Sequence, residues 1–278
     1  MRIQRTLPSV ASSASSLVLV GLIGKPLLFL IFPLSIALFH MASSVVNDLS
    51  DYHVDKVNAP ERALPSGKIS QTHIQILFLL LFGGGLFTAF LLDYIYFLVV
   101  SIFGFIYIFS YNYGPSFKNH PLGSFMYYTL SGSVAPYVMT SLIARNFGFD
   151  DLTFTFLLAI LATCAVTGSM SDYEGDIMVG KRTFPVVLGF NRARLILAAM
   201  VLNAVAVYPI LYYVFNFSST FLILLIFPLS FRIALFYSVL HYKNPGNFHR
   251  LGPLYRTIIA ADMVILALTL EGGGLMFR

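Results

Sequence analysis

The chain has 278 residues, of which 58% are hydrophobic and 10% charged, with a formal net charge of +5 and a mean hydropathy of +0.81. Soluble domains average about 25% charged residues, so this composition excludes a water-soluble globular domain, a disordered chain and a nucleic-acid-binding domain, and marks an integral membrane protein. The single cysteine, Cys164, allows no internal disulfide.

A membrane helix needs roughly 20 mostly apolar residues. Apolar runs between polar breaks predict an all-α bundle of nine spans, at about 8–24, 26–46, 73–92, 94–112, 121–143, 152–170, 193–215, 219–240 and 254–272. The first stretch is basic, Ser-rich and short of acids, which also fits a signal or transit peptide. A second apolar run directly after Lys25-Pro26 favours a helical hairpin. The N-terminus and the even-numbered loops carry thirteen Lys and Arg, against three on the other side, while Arg232 falls inside the eighth span. This bias places the N-terminus and the motif loops described next in the cytoplasm, and nine spans put the C-terminus outside. Residues 1–278 are read as one transmembrane domain. The triplet Asn216-Phe217-Ser218 fits a glycosylation acceptor but sits in a very short loop, and is read as a chance match.

Two even-numbered loops, about 47–72 and 169–192, repeat one pattern. Ser50-Asp51-Tyr52 matches Ser171-Asp172-Tyr173, Asp55 matches Asp176, and, with a one-residue gap, Arg62-Ala63-Leu64-Pro65 matches Arg182-Thr183-Phe184-Pro185. The elements lie four helices apart, which points to two related halves in one bundle. Seven of the twelve acids lie here: Asp48, Asp51, Asp55, Glu61, Asp172, Glu174 and Asp176. A merely solvated loop would scatter its acids without fixed spacing.

Residues i and i+4 share a helix face. Asn47, Asp51 and Asp55 therefore stack along one face, as do Asp172 and Asp176. Two such faces opposed across a bundle repel unless cations lie between them. Hard carboxylate oxygens suit Mg²⁺, which takes one or two carboxylates together with substrate phosphates. The nearby cations Arg62, Lys118, Lys181 and Arg182 are suited to hold phosphate oxygens. The combination implies a phosphorylated ligand bound through bridging metal ions.

Two aspartate-rich motifs at helix ends of a membrane bundle resemble the UbiA-type intramembrane prenyltransferase superfamily, over nearly the whole chain. Asn47-Asp48-Leu49-Ser50-Asp51-Tyr52-His53-Val54-Asp55 is similar to the family's Asn-Asp-x-x-Asp-x-x-x-Asp. The second motif departs from the usual Asp-x-x-Asp-x-x-x-Asp, because Ser169 stands at its first position ahead of Asp172 and Asp176; Glu174 is the candidate to compensate. Gly180-Lys181-Arg182-Thr183-Phe184-Pro185 resembles Gly-Lys-x-Thr-Leu-Pro. Tyr111-Asn112-Tyr113-Gly114-Pro115-Ser116-Phe117-Lys118 resembles, more loosely, a third element whose tyrosine and lysine lie near a diphosphate.

The resemblance implies transfer of a prenyl group from a polyprenyl diphosphate to a lipophilic acceptor in the bilayer. Asp51, Asp55, Asp172 and Asp176 are then the catalytic carboxylates, and Asn47, Asp48, Asp51, Asp55, Asp172 and Asp176 the Mg²⁺ set. Neutralising the leaving group lets an allylic diphosphate ionise, with Arg62, Lys118, Lys181 and Arg182 clamping its oxygens. Phe and Tyr together number 43, which supplies aromatic faces for an allylic cation. His40, Tyr113 and Ser169 are candidate cavity residues; for His40 a structural hydrogen bond is an equal alternative.

The linker Lys56-Val57-Asn58-Ala59-Pro60-Glu61-Arg62-Ala63-Leu64-Pro65-Ser66-Gly67 resembles the pattern of the branch holding archaeal digeranylgeranylglyceryl phosphate synthases and chlorophyll synthases, with Ala63 in place of a proline. This implies a geranylgeranyl donor and a glycerol-phosphate-type lipid acceptor in membrane ether-lipid synthesis; an aromatic or tetrapyrrole acceptor stays open. The basic eighth loop, with His241, Lys243, His249, Arg250 and Arg256, reads either as flanking charge or as attraction for an acceptor phosphate. Arg232 and Asp262 lie at depth in neighbouring spans and suggest an interhelical ion pair. The serines of the first span suit close packing or a cavity wall. A cation or phosphate transporter is the rival class, but such sites sit near the midplane in broken helices, whereas these acids cluster at helix ends. A same-fold cyclase that uses no acceptor is a third reading.

Overall fold

Inside a bilayer the backbone can satisfy its polar groups only internally, and the long apolar runs are accordingly helical. The computed structural model describes residues 6–58, 60–145, 147–215 and 217–271. Among them there is no strand, only an isolated bridge between Phe217 and Leu270.

The N-terminal half runs through α1 (Leu7–Leu19), α2 (Pro26–Ser50), the short α3 (Tyr52–Asn58), α4 (Gln71–Leu92), α5 (Tyr94–Val99), α6 (Phe105–Asn112), α7 (Pro121–Thr129) and α8 (Ala135–Ala144). A π-helical turn, Val100–Gly104, joins α5 to α6, and another, Leu130–Val134, joins α7 to α8. Then follow α9 (Phe149–Leu161), α10 (Thr167–Met170), α11 (Tyr173–Met178), α12 (Phe184–Leu188), α13 (Phe190–Asn203), α14 (Val207–Phe215), α15 (Ser219–Leu224), α16 (Ile226–His241) and α17 (Gly252–Thr269).

Seven helical stretches are long and apolar enough to cross a membrane: Pro26–Ser50, Gln71–Leu92, Tyr94–Asn112, Phe149–Met170, Phe190–Phe215, Ser219–His241 and Pro245–Thr269. Nine were expected. Two of the expected spans fall short of the criterion among the described residues, each for a physical reason. The first forms only the 13-residue α1, about 20 Å long at about 1.5 Å per residue. The fifth, 121–143, is a succession of α7, a π turn and α8, and it buries Ser124, Thr129, Ser133, Thr140 and Ser141 among its apolar residues. The acceptor triplet falls on Asn216, outside the described residues, as does Ala59 of the linker.

Small residues set the packing of α1. Ser9, Ser12, Ser13, Ser15 and Ser16 are all buried, and the helix lies close against α2 and α17. Ser13 and Ser16 donate to backbone carbonyls of their own helix, so they are packing residues. Ser9 instead reaches His40, with 3.0 Å between its Oγ and Nδ1.

The expected ion pair between Arg232 and Asp262 is present and ties α16 to α17. Their side chains are 1% and 4% exposed. Tyr208 of α14 donates to Asp262 at 2.6 Å and accepts from Arg232 Nε at 2.8 Å, while Nη2 of Arg232 donates to the Leu161 carbonyl of α9. A buried charge pair is stable only with such further hydrogen bonds. It fixes four helices beside an apolar core that includes Phe154, Leu211 and Met263.

Candidate active site

Both aspartate motifs fold the same way. A long helix ends, a residue breaks the regular geometry, and a short helix continues. Asp51 closes α2 with φ −91° and ψ 6°, and α3 follows; Asp172 precedes α11 with φ −95° and ψ 3°. In each, the backbone N–H of the second Asp donates to the carbonyl of the first, at 2.7 Å for Asp55 to Asp51 and 2.8 Å for Asp176 to Asp172. The i, i+4 spacing is thus realised, yet in the first motif Asp51 and Asp55 go to different surroundings, whereas Asp172 and Asp176 of the second stay together.

A chamber of about 260 Å³ opens between the motifs. Its walls include Asn47, Asp51, Asp172, Asp176, Lys118 and Lys181, together with His40, Ser169, Tyr111 and Thr183. Asn47 Nδ2 donates to Asp51 Oδ2 at 3.0 Å. Lys118 Nζ donates to Asp51 Oδ1 at 2.8 Å and lies 3.5 Å from Asn112 Oδ1, with Ser50 Oγ as a third partner. Lys181 Nζ stands 3.5 Å from Asp51 Oδ1 and 3.5 Å from Asp176 Oδ1. Its ammonium therefore joins the two motifs, and these two oxygens lie within twice that distance of each other. Thr183 donates to the other oxygen of Asp176 at 2.9 Å.

Burial pulls the Lys118 ammonium below the ordinary lysine value, and the neighbouring Asp51 counters this only in part. Burial likewise pushes the Asp176 carboxyl above the usual carboxylate range, against the pull of Lys181. For both groups burial disfavours the charged form, a cost that an opposite charge alongside relieves.

Some predicted residues sit elsewhere. Asp55 does not line the chamber; it turns to Arg62, whose Nη1 lies 2.5 Å from both of its carboxylate oxygens. Arg62 and Arg182 are also absent from the walls, and Arg182 is exposed, its backbone N–H donating to the Asn119 carbonyl. Asp48 is not among the lining residues. Tyr113 is 42% exposed, because it follows the end of α6 in extended backbone. Tyr111, still on the helix and stacked 4.0 Å from Tyr127, takes the wall position instead. Ser169 is buried and donates to the Val166 carbonyl within its own turn.

Sequence reasoning missed Ser50, Asn112 and Thr183. All three lay inside quoted elements, but no spacing rule distinguishes a polar side chain that orients a lysine or carboxylate from one facing solvent.

A metal ion fits this donor set in one way. Among the described residues no three of His, Cys, Asp or Glu converge closely enough to hold an ion by themselves. Asp51 of the first motif and Asp172 and Asp176 of the second line the chamber instead, with Asn47 hydrogen-bonded to Asp51. That suits Mg²⁺, which is commonly held by one or two carboxylates plus waters and substrate phosphates rather than by an all-protein cage.

A second, apolar cavity of about 360 Å³ adjoins the chamber. His40, Tyr127 and Ser131 line both spaces. Its walls come from α2, α6, α7, α8 and both π turns, and include Phe39, Val100, Gly104, Ile108, Val134 and Met139. A π turn widens the helix locally and is frequent at functional sites.

Comparison with known proteins identifies this architecture. The model of the UbiA prenyltransferase family matches residues 8–251. A digeranylgeranylglyceryl phosphate synthase of Methanococcoides burtonii is 30% identical over 248 residues, which is 87% of this chain and 84% of that protein. The protein of the same name from Methanobrevibacter smithii is 26% identical over 223 residues, 77% of this chain and 78% of its own length. Among solved structures, a UbiA homologue from Archaeoglobus fulgidus bound to DMAPP and Mg²⁺ superimposes with a TM-score of 0.68 at 19% identity, covering 96% of this chain and 98% of that one. The chain belongs to the UbiA prenyltransferase family and is a membrane-embedded prenyltransferase.

Proposed function

We propose that the protein transfers a geranylgeranyl group from its diphosphate to geranylgeranylglyceryl phosphate. The carrying observation is the position of Lys181 between Asp51 and Asp176, with Lys118 on Asp51. Carboxylates and ammonium groups alternate across one small chamber. A bare cation would meet the lysines, and a bare anion the carboxylates. A metal–diphosphate pair satisfies both, which favours a diphosphate ester over simple ion passage.

In this reading Asn47, Asp51, Asp172 and Asp176 hold Mg²⁺, and Lys118 and Lys181 take the diphosphate oxygens. Bound Mg²⁺ would supply charge neutralisation of the leaving diphosphate. The seam at His40, Tyr127 and Ser131 places the reacting carbon between the polar chamber and the apolar cavity, which takes the prenyl tail. Tyr111 and Tyr127 present stacked rings beside that seam, suited to a developing allylic cation. The carbon–oxygen bond to diphosphate breaks, the acceptor hydroxyl oxygen forms the new ether bond to that carbon, and its proton passes to the departing diphosphate. Asp55 and Arg62 brace each other at the base of α3, outside the chamber.

The acceptor and donor length are supported by the names of the relatives and by the linker after Asp55. We place the motif loops on the cytoplasmic side, on the thirteen-to-three charge bias. The matching local folds of the two motifs support a bundle of two related halves; a nine-helix crossing would count α1 and the α7–α8 stretch as spans.

A transfer assay tests the reading. Purified protein receives geranylgeranyl diphosphate, Mg²⁺ and, in turn, geranylgeranylglyceryl phosphate, 4-hydroxybenzoate or a chlorophyllide. A lipid ether formed only with the first is the expected result. An adduct with an aromatic or tetrapyrrole acceptor overturns the acceptor assignment, and diphosphate release without an adduct points to cyclisation or hydrolysis.

A further inference from the structure

Of the five basic residues between α16 and the first turns of α17, two line the reaction chamber: His249 and Arg256. His241, Lys243 and Arg250 do not, so flanking charge accounts for them and not for the other two. The two ammonium groups of the chamber are already engaged, Lys118 by Asp51 and Lys181 by Asp51 and Asp176. Arg256 differs. Among the described residues no carboxylate pairs with it. Its guanidinium lies 5.7 Å from the centre of the Tyr255 ring and folds back over Gly252. A Cβ on Gly252 would sit 3.0 Å from Arg256 Nη2. Glycine at that position leaves the room the guanidinium occupies.

The backbone that carries this arginine is anchored. Phe248 and Leu251, in the turn of 3₁₀-helix Pro245–Leu251, are 1% and 3% exposed and belong to the core shared with α13 and α16. Asn244 starts that turn, its side chain accepting from the Gly246 N–H at 2.8 Å. The same chamber is also lined by small uncharged residues, among them Ser9, Ser131, Gly132, Gly168 and Ser169. An arginine that makes no ion pair with a carboxylate among the described residues, on the wall of a chamber that also carries small polar groups, is suited to a fork-shaped anion. Guanidinium binds phosphate through two parallel N–H donors, where an ammonium acts only as a point charge.

We propose that Arg256 binds the phosphomonoester head of the lipid acceptor and selects phosphorylated acceptors over neutral alcohols. The proposal rests on the acceptor reading given above. It assigns separate anions to separate cations in one chamber: the donor diphosphate to Lys118 and Lys181, the acceptor phosphate to Arg256 on the wall supplied by α17.

The test uses wild-type enzyme, Arg256→Gln and Arg256→Lys in detergent, with geranylgeranylglyceryl phosphate and its dephosphorylated alcohol as alternative acceptors. Loss of a charge-assisted hydrogen bond predicts that Arg256→Gln raises KM for the phosphorylated acceptor about 10-fold or more. KM for the donor stays unchanged, the preference for phosphate over alcohol disappears, and Arg256→Lys recovers part of it. Equilibrium binding of the phosphorylated acceptor in the absence of donor weakens in parallel, which reports the contact independently of turnover. An increase confined to donor KM would make Arg256 a donor clamp and overturn the proposal, as would unchanged acceptor binding. A wild-type enzyme that neither binds nor uses the phosphorylated acceptor overturns the acceptor reading itself. Normal wild-type use with an unaltered Arg256→Gln overturns the arginine assignment alone.

Discussion

Lys118 Nζ lies 2.8 Å from Asp51 Oδ1, although the two residues are 67 positions apart. The loop between α6 and α7 carries a cation into the first aspartate motif, so in the proposed reading the metal-binding and diphosphate-binding groups share one carboxylate. Replacing Lys118 with Met removes a donor to the leaving group and unbalances buried Asp51. Charged hydrogen bonds contribute about 1.5–3 kcal/mol, so kcat/KM for the donor should fall roughly 10- to 100-fold. Steady-state kinetics with varied donor measure this; an unchanged value would remove Lys118 from the site.

In the proposed reading Asp51→Asn and Asp176→Asn each remove one anionic ligand, one from each motif. Each should lower transfer by at least about 100-fold, the usual scale for removing a charge-stabilising group. Chelation of wild-type enzyme should abolish transfer, and added Mg²⁺ should restore it. Mn²⁺ binding followed by electron paramagnetic resonance should weaken in both variants, which separates lost metal binding from other causes of inactivity.

The buried pair of Arg232 and Asp262 predicts an asymmetric double-mutant cycle. Removing one partner leaves an uncompensated charge, which costs about 3–5 kcal/mol. Asp262→Leu alone should therefore lower the melting temperature of the detergent-solubilised protein markedly. Arg232→Met combined with Asp262→Leu should recover most of the loss, since apolar replacement of both partners is often neutral. Additive losses would contradict this account.

Asp93 makes a pH-dependent contribution at the opposite end of α4. It caps α5 through the N–H groups of Ile95 and Tyr96 and pairs with Arg145 at 2.9 Å. Partial burial alone would raise its carboxyl, but the Tyr96 N–H and the Arg145 guanidinium outweigh this, and its pKa lies below the ordinary value. The stability it adds is present above the unfolded value of about 3.9 and is lost as pH falls through the folded value. Asp93→Asn keeps the cap and loses the charge. Its melting temperature should lie slightly below wild type at about pH 7, and the gap should close below about pH 4. Asp93→Ala, which loses the cap too, should cost about 1 kcal/mol more.

The apolar cavity predicts donor selectivity. Gly104 lies on the π turn that forms part of its wall. Gly104→Phe should shorten the longest prenyl diphosphate accepted, seen as a rise in KM for geranylgeranyl over dimethylallyl diphosphate. Equal effects on both donors would place the tail elsewhere.

The sequence alone determined the membrane class, most of the spans and the chemistry of the site. Long apolar runs leave no alternative to helix in lipid, and two Asp-x-x-x-Asp elements in a chain with few other charges, together with basic residues such as Arg62 and Lys181 that follow them, point to cation and phosphate chemistry through spacing. Periodicity fixes which residues share a face of one helix. It does not fix which faces meet, because that depends on the packing of segments far apart in the chain. Only the tertiary structure turned Asp51 and Asp176 toward Lys181 while sending Asp55 to Arg62, and put Tyr111 rather than Tyr113 on the wall. It likewise brought Arg256, but not Arg250, into the chamber. The partners that decide this, Lys118, Lys181, Arg62 and Arg256, all lie outside the helical turn whose spacing the sequence shows.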